Sequence, residues 1–321
     1  MSAPRQATAT AAPALSVVVP THDTRELTLR CLDSLASGSL ALEVIVVDDA
    51  SADGTTAAIA QRHPEVRLLA NAQRAGFTRA ANRGLGAATG DLLLLLNSDT
   101  EVPASSLPAL QAAFVDDPQL GIAGAELQYP DGAAQWGAGL EPTPRWLFAQ
   151  ASGLPALLGR LPGYRRLRPP GRGAGAQVDW VSGAAMAVRR AVWAAVGPLD
   201  ARYRFYCQDL DLCLAARALG WRVAVVAGFV VIHHHGATIS AGRGSAAPYH
   251  PELMWTDLVR FADKRGGPAA ARRATAALRA GARLRLLGRA LAAPLVGRDR
   301  RQRWRQDTDA FTAGLLALQR L

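Results

Sequence analysis

The sequence predicts an α/β fold built on a mostly parallel sheet, followed by a basic helical extension. Two observations predict it. Short β-branched or leucine-rich runs alternate with segments of helical spacing over the first hundred residues, and the connections between them are short. A third concerns the tail: beyond Pro251 the chain reads as helical and grows steadily richer in arginine.

Leu15–Val19 is a buried strand that stops at Pro20. Arg25–Leu35 places Leu27, Cys31, Leu32 and Leu35 at helical spacing. Glu43–Val47 is the next strand, ending at Asp48 and Asp49. Asp53–Arg62 reads as helix, Val66–Ala70 as strand and Gly76–Ala88 as helix. Asp91–Leu96 is a fourth, very apolar strand ending in Asn97-Ser98-Asp99, with a further helix starting near Pro103. From residue 130 to 177 the periodicity fades into Pro, Gly and Arg, which predicts a flexible insertion. Regular patterns return at Val178. Arg190–Val196 and Asp209–Leu219 read as helices, Arg222–Val226 and Phe229–Ile232 as two strands. The resulting division is a disordered leader (1–14), one large domain (15–245) and a basic helical region (246–321). The domain splits into halves at 15–102 and 178–245 around the insertion.

The 321 residues are 50% hydrophobic and 19% charged, which supports a sizeable core and excludes wholesale disorder. Three cysteines without a short Cys-x-x-Cys pair give neither a disulfide framework nor a structural zinc site, and suit a reduced, cytoplasmic setting. The first residues lack the apolar stretch of a signal peptide, and no apolar run is long enough to span a bilayer. A net charge of +10 implies an anionic partner. Interleaved aromatics and a known module are lacking, so no specific nucleic-acid partner is expected. Arg272–Arg305 alternates arginine with Leu, Ala and Val, giving at helical spacing an apolar face beside a cationic one. Such a helix lies in an anionic membrane surface, on the inner face of the plasma membrane, or packs on its own domain or a second copy. The oligomeric state is not legible.

In parallel sheets ligands bind beyond the carboxyl ends of the strands. All four early strands end in polar groups: Thr21 and Asp23, Asp48 and Asp49, Asn71 and Arg74, Asn97 and Asp99. An Asp at such an end can hold Mg²⁺ or Mn²⁺ against a diphosphate, or merely cap the following helix. Asp48 and Asp49 suit a base or ribose, or a turn. Asp209 and Asp211 open a helix, where an ionised carboxylate can serve as general base or simply stabilise the helix terminus. His233, His234 and His235 follow a strand, whose alternation allows at most one or two to reach one ion.

Together these stretches resemble the family-two inverting glycosyltransferases of the GT-A fold, in their rhamnosyltransferase-like branch. The resemblance rests on SVVVPTHD (16–23), VIVVDDASADGT (44–55), the long run from Asn71 to Val102, DWVSGAAMAVRRAVWAAVGPLD (179–200), QDLDLCLAARALGW (208–221) and VIHHHGATIS (231–240). It implies a nucleotide-sugar donor contacted by Pro20, Thr21, Asp23, Asp48, Asp49, Arg74, Asn82, Asn97 and Ser98. It implies Mg²⁺ or Mn²⁺ on Asp99 and His233, and Asp209 as the base, with Asp211 in reserve. It further implies dTDP-L-rhamnose as donor, with UDP-sugars such as UDP-galactofuranose next, and a glycan or lipid-diphosphate-linked acceptor in cell-wall or polysaccharide synthesis. Gln208 stands where Glu is typical, which leaves a catalytically inactive nucleotide-sugar-binding homologue as the rival.

Overall fold

A computed structural model describes residues 14–38, 40–154, 178–234 and 250–321. The leader up to residue 13, His235, the arginine cluster at 165–172 and residues 155–177 of the predicted insertion lie outside the described residues.

The early strands and helices form where the patterns place them. β1 (Leu15–Thr21), β2 (Leu42–Asp48), β3 (Arg67–Ala70) and β4 (Leu92–Leu96) alternate with α1 (Arg25–Ala36), α2 (Thr55–Arg62) and α3 (Phe77–Ala87). Then follow β5 (Thr100–Glu101), α4 (Ser106–Asp116), β6 (Leu120–Gln128), β7 (Ala138–Gly139), α5 (Pro144–Ser152), β8 (Trp180–Val181) and β9 (Ala185–Arg189). The chain closes with α6 (Arg190–Val196), α7 (Gln208–Ala218), β10 (Arg222–His233), α8 (Pro251–Ala292) and α9 (Arg298–Ala317).

Eight strands make one sheet in the order β3-β2-β1-β4-β9-β6-β10-β5. β1 pairs in parallel with β2 and β4, and β6 with β10, while β9 runs antiparallel between β4 and β6. The carboxyl ends of β1, β2, β4, β6 and β10 therefore share one edge. Alternation along β1 sends Val17 and Val19 to the face covered by α1 and α4, and Val18 to the face covered by α3 and α7. Helix α3 approaches that face closely because Gly84 has no side chain: a Cβ there would sit 2.3 Å from Val18 Cγ1.

Two readings are corrected. The two strands predicted at 222–226 and 229–232 are one strand. Its register against β6 shifts between Val225 and Val230, and Gly228 adopts φ +76°, so the Ala227-Gly228 break read as a strand end is a bulge within one strand. The predicted flexible insertion is regular in its first part. β7 pairs with β8, and α5 is capped by the Thr143 side chain, which accepts from the Trp146 N–H. Leu147 and Ala151 on α5 pack against Ala274, Leu278 and Ala282 on α8. Only Leu147, Ala149, Ala151 and Ser152 are buried on that helix, too few and too small to stand out among the surrounding prolines and glycines.

The basic tail is consequently part of the fold. α8 breaks its helical geometry at Gly266 and Gly267 before Pro268, and α9 folds back along it. Trp255 on α8 meets Phe311 on α9 edge to face, with centroids 5.2 Å apart, and both are buried. Burying each large ring contributes about 2 kcal/mol. No helix among the described residues is long and apolar enough to cross a membrane.

Candidate active site

The carboxyl edge gathers the site in two parts. The first lies beyond β1 and β2. Pro20 and Thr21 are buried, and the Thr21 hydroxyl joins those of Thr24 (2.8 Å) and Thr28 (2.7 Å), with Ser98 reaching Thr24 at 3.1 Å. Asp48 accepts from the hydroxyls of Ser51 and Thr56. Asp49 accepts from the Asn71 amide and from the N–H groups of Ala75 and Gly76, each at 2.7 Å. Burial alone would raise the Asp49 pKa, but these donors outweigh it and hold the carboxyl below the ordinary range. Asp23, with φ +50°, accepts from the Ala52 N–H. These carboxylates shape the loops that wall the cleft.

Arg74 is exposed on the β3–α3 connection. The Asn82 side-chain amide donates to Leu199 O at 2.8 Å and accepts from the Leu199 N–H at 2.9 Å. This pair of hydrogen bonds fastens α3 to the loop after α6.

The second part lies beyond β4, β6 and β10. Asp99 follows β4 and His233 ends β10; both are buried, with His233 Nε2 3.2 Å from Asp99 Oδ1. The His234 N–H donates to Asp99 O, and strand pairing of β5 with β10 holds the two segments together. Gln135 accepts from His233 Nδ1 at 2.6 Å, and its own amide lies 3.4 Å from His233 O, which fixes the ring and turns Nε2 toward Asp99. His234 points the other way, to Glu101 at 2.8 Å, as alternation along a strand requires.

These residues fit a divalent ion. Among the described residues the site offers two acid or imidazole side chains rather than three or more, the number Mg²⁺ or Mn²⁺ takes when substrate phosphates supply the rest. Asn97 Oδ1, two residues before Asp99, is buried with no hydrogen-bond partner, an oxygen suited to such an ion or its water.

The Asn97 N–H donates to Ala184 O at 2.9 Å, tying this centre to the 182–184 loop. There the Gly183 N–H donates to Asp209 Oδ2 at 2.8 Å, and the Leu210 N–H to Oδ1 at 2.8 Å. Asp209 is only partly exposed, and burial pushes its pKa up against the two N–H groups, which makes it a stronger base than an ordinary Asp. Asp211, two residues on, is turned about 200° around the helix. It pairs with Lys264 of α8 at 2.6 Å, inside a cleft of about 410 Å³ that Gln208, Asp200 and Pro198 also line. The structure thus turns the two acids to different surroundings, Asp209 to the 182–184 loop and Asp211 to Lys264. Gln208 donates to Phe205 O at 2.9 Å.

One organising residue carries no motif. Asp257 on α8 is fully buried and accepts from the N–H groups of Arg204, Phe205 and Tyr206 at 3.0–3.2 Å, with Arg260 at 2.9 Å balancing its charge. It therefore sets the loop that enters α7 through Cys207, whose φ is +71°.

A mostly parallel sheet with an acid–imidazole pair and a separate, partly buried carboxylate at its carboxyl edge has the architecture of the GT-A fold. The profile of the family described as Glycosyl transferase family 2 matches residues 16–171. The N-acetylglucosaminyl-diphospho-decaprenol L-rhamnosyltransferase of Mycobacterium tuberculosis is 34% identical over 257 residues, covering 73% of this chain and 80% of that protein. The chain belongs to glycosyltransferase family 2. The O-antigen biosynthesis protein RfbC of Myxococcus xanthus is 28% identical over 74% of this chain and 18% of its own length. A mannosyltransferase of Pyrobaculum calidifontis, solved with GDP-Man and Mn²⁺, shares the fold with a TM-score of 0.56 at 22% identity, covering 96% of this chain and 86% of that one.

Proposed function

We propose that this glycosyltransferase moves L-rhamnose from dTDP-rhamnose, with inversion, to a sugar carried on a lipid diphosphate, in cell-wall or polysaccharide synthesis. The observation that supports the choice of donor and acceptor is the 34% identity to the mycobacterial L-rhamnosyltransferase. The geometry supports the chemistry. Asp209, its oxygens aimed by the Gly183 and Leu210 N–H groups, takes the proton of the acceptor hydroxyl as that oxygen attacks the anomeric carbon. A single displacement needs one base and no enzyme nucleophile, and Asp209 supplies that base. Asp99 and His233, with Asn97 beside them, would hold Mg²⁺ or Mn²⁺. When bound, the ion neutralises the departing diphosphate. Pro20, Thr21, Asp23, Asp48, Asp49, Ser98 and Arg74 line or shape the nucleotide side of the cleft.

The C-terminal hairpin supports work at a membrane surface. Leu284, Leu287, Leu291 and Leu295 are exposed along the end of α8, Leu295 by 87%, among the exposed Arg283, Arg298 and Arg301. Replacing Leu287 and Leu291 with Ser should release the protein from anionic vesicles in flotation while leaving its thermal unfolding unchanged.

A donor screen tests the assignment. Nucleoside diphosphate release should be fastest from dTDP-rhamnose and cease in excess chelator, returning with Mg²⁺ or Mn²⁺. Release from UDP-sugars alone would move the donor assignment. Full turnover in chelator would remove the ion.

A further inference from the structure

The chemistry above leaves one aromatic cluster unused. Trp136 follows β6, Trp146 lies on α5 and Trp180 on β8. Trp136 and Trp146 stack with centroids 6.2 Å apart at 29°, and Trp180 meets Trp136 edge-on at 5.1 Å and 88°. Trp146 and Trp180 are partly buried against the core, and Trp180 Nε1 donates to Leu140 O at 3.0 Å. Trp136 is 42% exposed.

The chain on either side of Trp136 is pinned to the two halves of the site. Gln135 holds the His233 ring. Gly137 O accepts from the Ser182 N–H at 2.7 Å, and the next residue, Gly183, donates to Asp209. Trp136 therefore stands between the Asp99–His233 pair and the base, at the carboxyl edge of the sheet. Gln135 is buried and Trp136 exposed, so the extended segment turns one side chain into the metal-side wall and the other outward.

A large ring held in water by two further rings and by backbone bonds on both sides is a preorganised flat apolar face. Its electron-rich surface attracts weakly positive C–H bonds. A hexopyranose presents one face made of such bonds, with its hydroxyls around the rim. Among the described residues exposed large apolar side chains are few near it in sequence, Tyr129 and Leu140, a patch on the scale of a sugar ring and not of a bilayer or a protein interface.

We propose that Trp136, backed by Trp146 and Trp180, is the platform on which a hexopyranose ring of the acceptor stacks, bringing its hydroxyl to Asp209. The proposal rests on the glycosyl-transfer reading. Binding is measured without turnover, by saturation-transfer NMR on the methyl glycosides of N-acetylglucosamine, glucose and galactose, with nucleoside diphosphate and Mg²⁺ present. Ring C–H protons of one face should receive saturation from wild type. Trp136→Phe should bind within about threefold, and Trp136→Leu, which keeps apolar bulk but has no ring face, should weaken binding at least tenfold, or by about 1.4 kcal/mol. In transfer assays Trp136→Leu should raise acceptor KM by the same factor with kcat within about twofold. Equal binding by the Leu variant, or no ring-proton saturation in wild type, overturns the platform. Glycoside binding without nucleoside diphosphate release from any donor overturns the transfer reading and leaves the platform standing.

Discussion

The two halves of the catalytic edge treat their carboxylates in opposite ways. Beyond β2, Asp48 takes donors from its own loop and Asp49 from the β3–α3 connection, and Asp49 is held below the ordinary carboxylate range. At the head of α7, Asp209 receives two backbone N–H groups, and burial wins, raising its pKa. The first half is a finished cradle whose charges are locked before any donor arrives. The second keeps proton affinity in reserve for the acceptor.

The sharpest way to break that contrast is Asp209→Asn. It keeps shape and removes basicity, so kcat should fall by about 10²- to 10⁴-fold, while calorimetric donor affinity stays within about twofold. Wild-type kcat should also lose its acid limb at higher pH than an ordinary Asp would give, because the raised pKa keeps Asp209 protonated, and unable to act, further up the scale. A pH–rate profile that stays flat down to pH 4 would contradict this.

Asp257→Ala comes next. It strips a buried acceptor from three backbone N–H groups and leaves Arg260 uncompensated, a loss of about 3 kcal/mol. Thermal unfolding should shift down by several degrees, with transfer reduced more than donor binding, since the loop it holds leads to the base. An equal loss of both would make Asp257 a purely structural residue.

Asp49→Asn tests the cradle. Donor KM should rise about tenfold with kcat little changed, since the loops at Asn71 and Ala75–Gly76 lose their shared anchor. The sign of its pH effect follows from the lowered pKa. The stability Asp49 contributes is complete above about pH 4 and is lost as pH falls through its depressed folded value. Acid titration of unfolding should therefore show a shallower slope in the variant.

The smallest effect belongs to Asp211→Asn. Asp211 is buried and Lys264 partly exposed, but Lys264 keeps Asp200 as a partner at 2.8 Å and Asn still offers an acceptor, so stability should fall by about 1.5 kcal/mol and kcat by less than threefold. A large loss of kcat would return the base to Asp211 and undo the contrast drawn on α7.

The four early strands, the carboxyl-edge residues and the start of α7 were legible because each depends on local periodicity and on neighbours within a few positions, whereas β6 and β9 in the middle of the sheet were not read. The separation of Asp209 from Asp211 was also within reach, since two helical steps turn a side chain by about 200°. Asn82 was not: its amide is spoken for by Leu199, 117 positions away. Gln135 sits in a Gly- and Ala-rich stretch without period, and its contact with His233 spans 98 positions. The arginine-rich alternation of the tail showed an amphipathic helix, but what covers its apolar face is α5, whose own pattern is too short to announce itself.

The order of synthesis gives Asp257 a further consequence. As the chain emerges, β1–β4 are made long before α8, although the domain they belong to folds as a unit. The segment carrying Arg204–Tyr206 must wait for residue 257 before its N–H groups are gathered and α7 is set at its final angle. The loop that leads to Asp209 is therefore complete only once α8 is made, and a chain that stops short of residue 257 lacks the anchor of its own candidate base.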